Sequence, residues 1–216
     1  MSTPELPIRT STLSRSSELA EDVVKRLNRA FGQMRSMAAA SGEHDRPYQD
    51  EQATPEERNP MSLLYPFALG LAEDFSATKL VEATETALLN QSRLLFAWWP
   101  TKQREALHNW ESQFNAWREW HGVDVKKFSE IKQFKAHIQA RNALVHGAGR
   151  LTRYQQRTSN VTATLKEIGV NTEGGLLRIP DETIEQLRTV VLQFVLWLDE
   201  ASLTAAIGDQ EPPSVP

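Results

Sequence analysis

Hydrophobic positions recur at helical spacing over most of the chain and predict an all-α protein. A first helix is capped by Ser16 or Ser17, and its apolar stripe consists of Leu19, Val23, Leu27, Phe31 and Met34. The last helix begins near Pro180 or Asp181, and its stripe consists of Ile184, Leu187, Val191, Phe194, Val195 and Leu198. Such one-sided stripes are typical of helices that cover a common core.

Three further helical segments are predicted between these two. One spans about residues 62–99 and is stopped by Pro100; its apolar face consists of Leu80, Ala87, Leu88, Leu94, Leu95 and Trp98. The next spans about residues 101–121, is ended by Gly122, and has a stripe of Leu107, Trp110, Phe114 and Trp117. The third starts at Asp124, and its residues that point towards the core are Phe128, Ile131, Phe134 and Ile138.

Periodicity weakens between residues 151 and 180. Val161–Leu165 and Leu176–Ile179 lie on either side of Gly174 and Gly175 and predict a small hairpin. The predicted fold is therefore a helical bundle with a small hairpin-like or irregular insertion before the last helix. One helical domain is expected over residues 16–205, with tails at 1–15 and 206–216 and a long polar loop at 41–60.

Composition narrows the class of protein. The chain has 216 residues, of which 40% are hydrophobic and 24% charged, as in ordinary soluble globular proteins. It has no cysteine, which excludes disulfides, thiolate nucleophiles and cysteine metal ligands. No apolar run is long enough to cross a bilayer, and residues 1–15 lack the apolar segment of a signal peptide. We therefore expect a cytoplasmic protein with no membrane partner.

Charge is distributed unevenly along the chain. The net charge of −4 argues against a globally basic nucleic-acid-binding protein. Residues 126–157, however, contain eight lysines and arginines and a single acid, Glu130. This window therefore carries a charge of +7, and the rest of the chain carries −11. A local basic cluster favours phosphate binding through counterion release. The candidate RNA-binding residues are Lys132, Lys135, Arg150, Arg153 and Arg157. The alternative is a solvated helix face of like charges.

Chemistry-capable side chains cluster at the end of this basic segment. Asn142 and His146 lie four residues apart, so on a helix they share a face. Arg141 and His146 lie five apart, which separates them by about 140° around the axis and about 7.5 Å along it. Arg141 and His146 therefore point to neighbouring faces. Joint action on one substrate would require a wide cleft or a second copy of the helix.

These three side chains suit cleavage of RNA. Histidine can take and give a proton near neutral pH, and arginine offers a phosphate a permanent charge and two parallel hydrogen-bond donors. Asparagine can orient either partner. Together they fit attack by a ribose 2′-OH on the adjacent phosphate, a reaction that needs no metal or other cofactor and selects RNA over DNA. Alternatively, His146 is a helix-terminal histidine favoured by the helix dipole, and Arg141 forms a structural ion pair.

The segment Arg141–His146, at the end of a helix and followed by glycines, resembles the R-N-x-x-x-H signature of HEPN-superfamily ribonucleases. The resemblance is approximate over residues 62–203. It implies an all-helical homodimer whose two motifs line one cleft and cleave RNA without metal. Arg141 and His146 would be catalytic, and Asn142 would support them. It also implies a toxin–antitoxin or antiviral-defence setting, with an antitoxin or regulatory protein as partner.

The sequence thus predicts a cytoplasmic, metal-independent endoribonuclease that forms a cyclic phosphate. One alternative is a non-catalytic helical module that binds RNA, a nucleotide or a partner protein through its basic face. Another is a structural interaction protein in which the motif is a coincidence. Trp110 and Trp117 are predicted in the core, whereas Trp99 and Trp120 are predicted at a rim or dimer seam. Asp199, next to Glu200, is predicted as a surface charge.

Overall fold

The computed structural model describes residues 16–41, 60–89 and 93–208. Within these ranges the chain forms eight α-helices and one antiparallel hairpin, which confirms the all-α prediction and the insertion before the last helix. The elements are α1 (Glu18–Ser41), α2 (Leu64–Leu88), α3 (Arg93–Ala106), α4 (Trp110–His121), α5 (Ile131–Gly147), α6 (Arg153–Arg157), α7 (Val161–Glu167), β1 (Asn171–Glu173), β2 (Leu176–Arg178) and α8 (Asp181–Gly208). The predicted tail 1–15, residues 209–216 and positions 42–59 of the predicted loop lie outside the described residues.

The centre of the bundle is the pair α2 and α8, which pack along each other. Helices α1 and α5 each contact both of them, and α4 closes one side. Aromatic rings fill the space between α4, α5 and α8: Phe134 stacks on Phe194 with ring centroids 4.2 Å apart. Trp110 and Trp117 are buried, as predicted, and the Trp117 indole donates a hydrogen bond to Ser76. Helix α5, which carries the Arg141–His146 motif, is thus fixed by the core.

Helix α3 departs from the prediction. Pro100 does not stop a helix but lies inside α3, where it leaves the carbonyl of Phe96 without its helical partner. Both residues are exposed, so water can solvate that carbonyl. The predicted apolar face is also wrong here, because Leu94 is 78% and Trp98 56% exposed. Helix α3 packs mainly on α2 and α4 and covers little of the core.

Its buried aromatic residue is Trp99, which was expected at a rim. Trp99 packs edge-on against Trp120 with ring centroids 5.9 Å apart, and its indole donates to Glu85. Trp120 itself is 37% exposed, so the predicted rim position fits Trp120 and not Trp99. This small contact joins α3 to the rest of the bundle.

The prediction of a strand at Val161–Leu165 is wrong, because this segment forms the first turns of α7. Val161 and Leu165 lie four residues apart and are both buried, whereas Thr162 and Ala163 between them are exposed, which fits a helical period. The strand predicted at Leu176 is confirmed, and its partner is β1. Gly174 and Gly175 form the turn with φ of 56° and 82°, a conformation that glycine adopts without strain.

Asp199 is also corrected, from a predicted surface charge to a buried one. Its carboxylate accepts hydrogen bonds from the backbone N–H of Ser17 at 2.7 Å and from the Ser17 hydroxyl at 2.6 Å. Lys79 lies 2.9 Å from the same carboxylate. Burial alone would raise the pKa of Asp199, but the Ser17 hydrogen bonds and Lys79 outweigh it and lower that pKa. The start of α1 is thereby tied to α2 and α8.

The buried side chain of His137 links the motif helix α5 to α2 through Tyr65. Its Nδ1 lies 3.1 Å from the hydroxyl of Tyr65, and its Nε2 has no hydrogen-bond partner among the described residues. Burial lowers the pKa of His137 to about 4, and burial raises the pKa of Tyr65 above its usual range. The folded protein therefore holds His137 neutral at one turn before Arg141.

Acid should consequently destabilise the fold through His137. Below about pH 6.5 the unfolded chain protonates this histidine, while the folded chain resists until about pH 4. The free energy of unfolding should fall by about 3 kcal/mol over that window through this group. The double variant Tyr65→Phe/His137→Leu, which removes both polar partners, should lose this dependence. Urea unfolding at several pH values measures it, and equal pH slopes for the two proteins would contradict the assignment.

Candidate active site

The end of helix α5 has a defined geometry. Ala148 adopts the left-handed conformation with φ of 49°, and the N–H groups of Ala148 and Gly149 both donate to the carbonyl of Ala143. The chain then pairs with the hairpin: Leu177 donates to the carbonyl of Gly149 at 2.8 Å, and Leu151 donates to the carbonyl of Gly175 at 2.8 Å. The insertion before the last helix thus holds the helix end that carries His146.

Helix α6 is attached to the same part of α5. Thr152 and Gln155 form a reciprocal capping box that starts α6. The buried amide of Gln155 donates to the carbonyl of Gln139 at 2.8 Å and to its side-chain oxygen at 3.0 Å. These bonds fix α6 beside the motif, and Tyr154 of this helix is 79% exposed.

Arg141, Asn142 and His146 line one groove with a volume of about 820 Å³. This volume lies within the range of small-molecule sites, roughly 300–1,000 Å³. The other lining residues come from α2, from α4 and the segment before it, from α5 and from α6, and they are Glu73, His108, Asn109, Trp110, Glu111, Phe114, Lys135, Ile138, Gln139, Thr152, Tyr154 and Gln155. A single protomer therefore provides a wide cleft that both Arg141 and His146 face.

The Arg141 guanidinium has two protein partners, and not all of its hydrogen-bond donors are paired. Its guanidinium donates to Asn142 Oδ1 at 3.3 Å and lies 3.9 Å from Glu73 Oε2, at the outer limit of an ion pair. Its buried Nε has no hydrogen-bond partner among the described residues. A buried donor without a partner is uncommon, and it leaves part of the hydrogen-bonding capacity of the guanidinium unused. Asn142 orients the guanidinium, and the Arg141 side chain keeps 25% of its surface exposed.

The five predicted RNA-binding residues do not all reach this groove. Lys135 lines it and lies 4.0 Å from Glu111 Oε2. Arg150 is exposed and donates to the carbonyl of Gly174, at the turn of the hairpin. Lys132 is exposed on α5, and the two arginines at the ends of α6 are exposed as well: Arg153 and Arg157. The groove itself carries two cations and two carboxylates, so the charge excess of the basic window lies mostly outside it.

Among the groove residues that the sequence did not predict, three have side chains that could contact a substrate. Glu73 comes from α2, His108 from the connection between α3 and α4, and Tyr154 from α6. His108 precedes Asn109, which caps α4 by accepting the N–H of Ser112, and this capping pattern was the one local signal for the connection. Nothing in the spacing along the chain links His108 to His146, because tertiary packing alone brings them to one groove.

The described part of the chain has neither a cluster of metal ligands nor a membrane-spanning helix. Residues 16–41, 60–89 and 93–208 contain no group of three or more histidine, aspartate and glutamate side chains placed to hold a metal ion. No described helix is long and apolar enough to cross a membrane.

Comparison with known proteins gives no relative: no protein-family model matches the chain, nor does any curated protein or solved structure. The resemblance to HEPN ribonucleases therefore depends on Arg141–His146 and on the helical layout around that segment.

Proposed function

We propose that this protein is a metal-independent endoribonuclease whose active site is the groove lined by Arg141, Asn142 and His146. The observation that supports the proposal most is that these residues line one groove of one protomer, which includes an incompletely paired guanidinium and an exposed imidazole. Cleavage of defined RNA oligonucleotides by the pure protein, with analysis of the new ends, is the direct test.

Each side chain has a role set by its surroundings. His146 is exposed in the last turn of α5 and takes the proton of the attacking 2′-OH. The O2′ attacks the adjacent phosphorus, and the P–O5′ bond breaks, which yields a 2′,3′-cyclic phosphate and a 5′-hydroxyl. Arg141 binds the phosphate oxygens as negative charge accumulates on them. Asn142 holds the guanidinium in place through its 3.3 Å hydrogen bond.

The groove also has a surface for an unpaired base. Tyr154 presents an exposed ring on a short helix that is fixed by the capping box and by Gln155. Stacking on such a ring is typical of single-stranded RNA binding and accepts any base. Single-stranded RNA is therefore the proposed substrate class. Tyr154→Ala should weaken RNA binding by about 1–3 kcal/mol, whereas Tyr154→Phe should keep it. Fluorescence anisotropy with a 2′-deoxy analogue measures this, and equal affinity of all three proteins would contradict it.

Lys135 is the cation that should dominate phosphate binding outside the motif. Lys135→Ala should reduce the slope of log affinity against log salt by about one phosphate contact. Glu111→Gln should have the opposite effect on affinity, because its carboxylate lies 4.0 Å from Lys135 and competes with the phosphate. Lys166→Ala, an exposed lysine on α7 outside the groove lining, is the matched control. Equal losses from Lys135→Ala and Lys166→Ala would mean that binding follows overall charge.

Lys132, Arg150, Arg153 and Arg157 are proposed to guide RNA towards the groove from outside it. Reversing Lys132, Arg150 and Arg153 to glutamate should lower the association rate more than the cleavage rate of bound RNA, because distant charges act through long-range attraction. Stopped-flow binding at two salt concentrations separates the two effects.

The homodimer and the biological setting remain proposals taken from the HEPN resemblance. That resemblance suggests a toxin or antiviral effector controlled by an antitoxin or regulatory protein. The groove contains Arg141 and His146 of a single protomer, so the proposed chemistry does not require a second motif. We nevertheless expect a two-fold dimer, so sedimentation at micromolar concentration should give the mass of two protomers. A fully active monomer would contradict the dimer without affecting the proposed reaction.

A further inference from the structure

His108 is the second exposed histidine of the groove. It lies on the connection between α3 and α4, directly before the helix-capping residue Asn109. The other described histidines are engaged elsewhere: His137 is buried against Tyr65, and Nε2 of His121 lies 2.8 Å from the hydroxyl of Thr84. Of the histidines in the described ranges, His108 and His146 are therefore the two that line the groove.

Cleavage of RNA by 2′-OH attack involves two proton transfers. One group must take the proton of the 2′-OH, and another must give a proton to the departing O5′, which is a poor leaving group as an alkoxide. A single imidazole that has just accepted a proton lies on the side of the nucleophile. In an in-line displacement the leaving oxygen lies on the opposite side of the phosphorus. A second proton donor from another wall of the groove therefore suits the reaction.

We propose that His108 is this donor, a second catalytic residue that protonates O5′ as the P–O5′ bond breaks. This inference rests on the proposed function. His146 accepts the proton of O2′, the O2′–P bond forms, the P–O5′ bond breaks, and O5′ leaves with the proton of the His108 imidazolium. Both histidines then exchange protons with water and return to their starting states. During both proton transfers, Arg141 neutralises the charge on the phosphate oxygens. The reaction is then complete within one protomer.

The test uses one RNA oligonucleotide with a single mapped cleavage site, and a second in which O5′ at that bond is replaced by sulfur. A thiolate leaves without protonation, so the sulfur substrate does not need the donor. His108→Ala should cleave the oxygen substrate roughly 10²–10⁴-fold more slowly than the wild type. On the sulfur substrate the same variant should come within about tenfold of the wild type. His146→Ala should remain slow on both substrates.

Controls separate this role from a structural one. Arg104→Ala, an exposed α3 side chain outside the groove lining, should match the wild type on both substrates. Affinity of His108→Ala for the 2′-deoxy analogue should be unchanged. If His108→Ala is slowed equally on the oxygen and sulfur substrates, the donor role is overturned. The same follows if His108→Ala cleaves the oxygen substrate at the wild-type rate, or if the sulfur substrate rescues His146→Ala and not His108→Ala. If the wild type cleaves neither substrate, the proposed ribonuclease function fails first, and the donor role fails with it.

Discussion

Replacing His146 with alanine should slow RNA cleavage by roughly 10²–10⁴-fold, a larger loss than is expected from the other residues of the Arg141–His146 motif. The reason is that the variant has no group to accept the proton of the 2′-OH at the start of the reaction. His146 is exposed in the last turn of α5, so its removal leaves the core of the bundle intact. Single-turnover cleavage of a labelled RNA at saturating protein measures the loss.

The matched control for this variant is Val145→Ala. Val145 precedes His146 in the same helical turn, is 46% exposed and does not line the groove. It should cleave at the wild-type rate and unfold at nearly the same temperature. The His146→Ala variant should also keep its affinity for a 2′-deoxy analogue. A wild-type cleavage rate in His146→Ala would place the chemistry at another site.

Replacing Arg141 with alanine should slow cleavage by roughly 10²–10³-fold, because the phosphate loses the positive charge that stabilises the transition state. Arg141→Lys should recover only part of this, since lysine lacks the planar pair of donors. The alanine variant should also bind RNA more weakly, because Glu73 then stands in the groove without the cation 3.9 Å away. Cleavage rates and affinities of the two variants give both numbers.

A second substitution separates these two effects of Arg141. In Arg141→Ala/Glu73→Ala the unpaired carboxylate is gone, so RNA affinity should recover while the cleavage rate stays low. Glu73→Ala alone should retain most of the rate, since Asn142 still orients the guanidinium. Full recovery of the rate in the double variant would mean that Arg141 serves only to neutralise Glu73.

Local patterns were sufficient for much of the fold. The apolar stripes predicted α1 and α8, with Ser17 accepting the N–H of Ala20 at the start of α1, and the paired glycines predicted the hairpin turn. Patterns failed where tertiary packing decides. The β-branched run at Val161 resembles a strand, but the buried pair four residues apart makes it helical. Asp199 is buried because Ser17, 182 residues away, and Lys79 complete its hydrogen bonds, and no local signal encodes that.

The same division applies to the candidate site. The spacing of Arg141, Asn142 and His146 identified the segment, because all three lie on one helix. Spacing also placed Arg141 and His146 on neighbouring faces, and the groove is wide enough to be lined by both. Glu73, His108 and Tyr154 belong to three other segments and enter the groove through packing, so one-dimensional patterns could not group them with the motif. The RNA-binding residues predicted from charge alone were grouped by sequence, and only Lys135 lines the groove.

The most direct test of the proposed chemistry is cleavage of an RNA oligonucleotide in which a single 2′-OH, at the mapped cleavage site, is replaced by hydrogen. We expect the wild-type protein to cut the unmodified RNA to a 2′,3′-cyclic phosphate and a 5′-hydroxyl, with or without chelator. The modified RNA should stay intact at that bond. Cleavage at the 2′-deoxy position would contradict attack by the ribose hydroxyl, and failure to cut any unmodified RNA would contradict the proposed ribonuclease function.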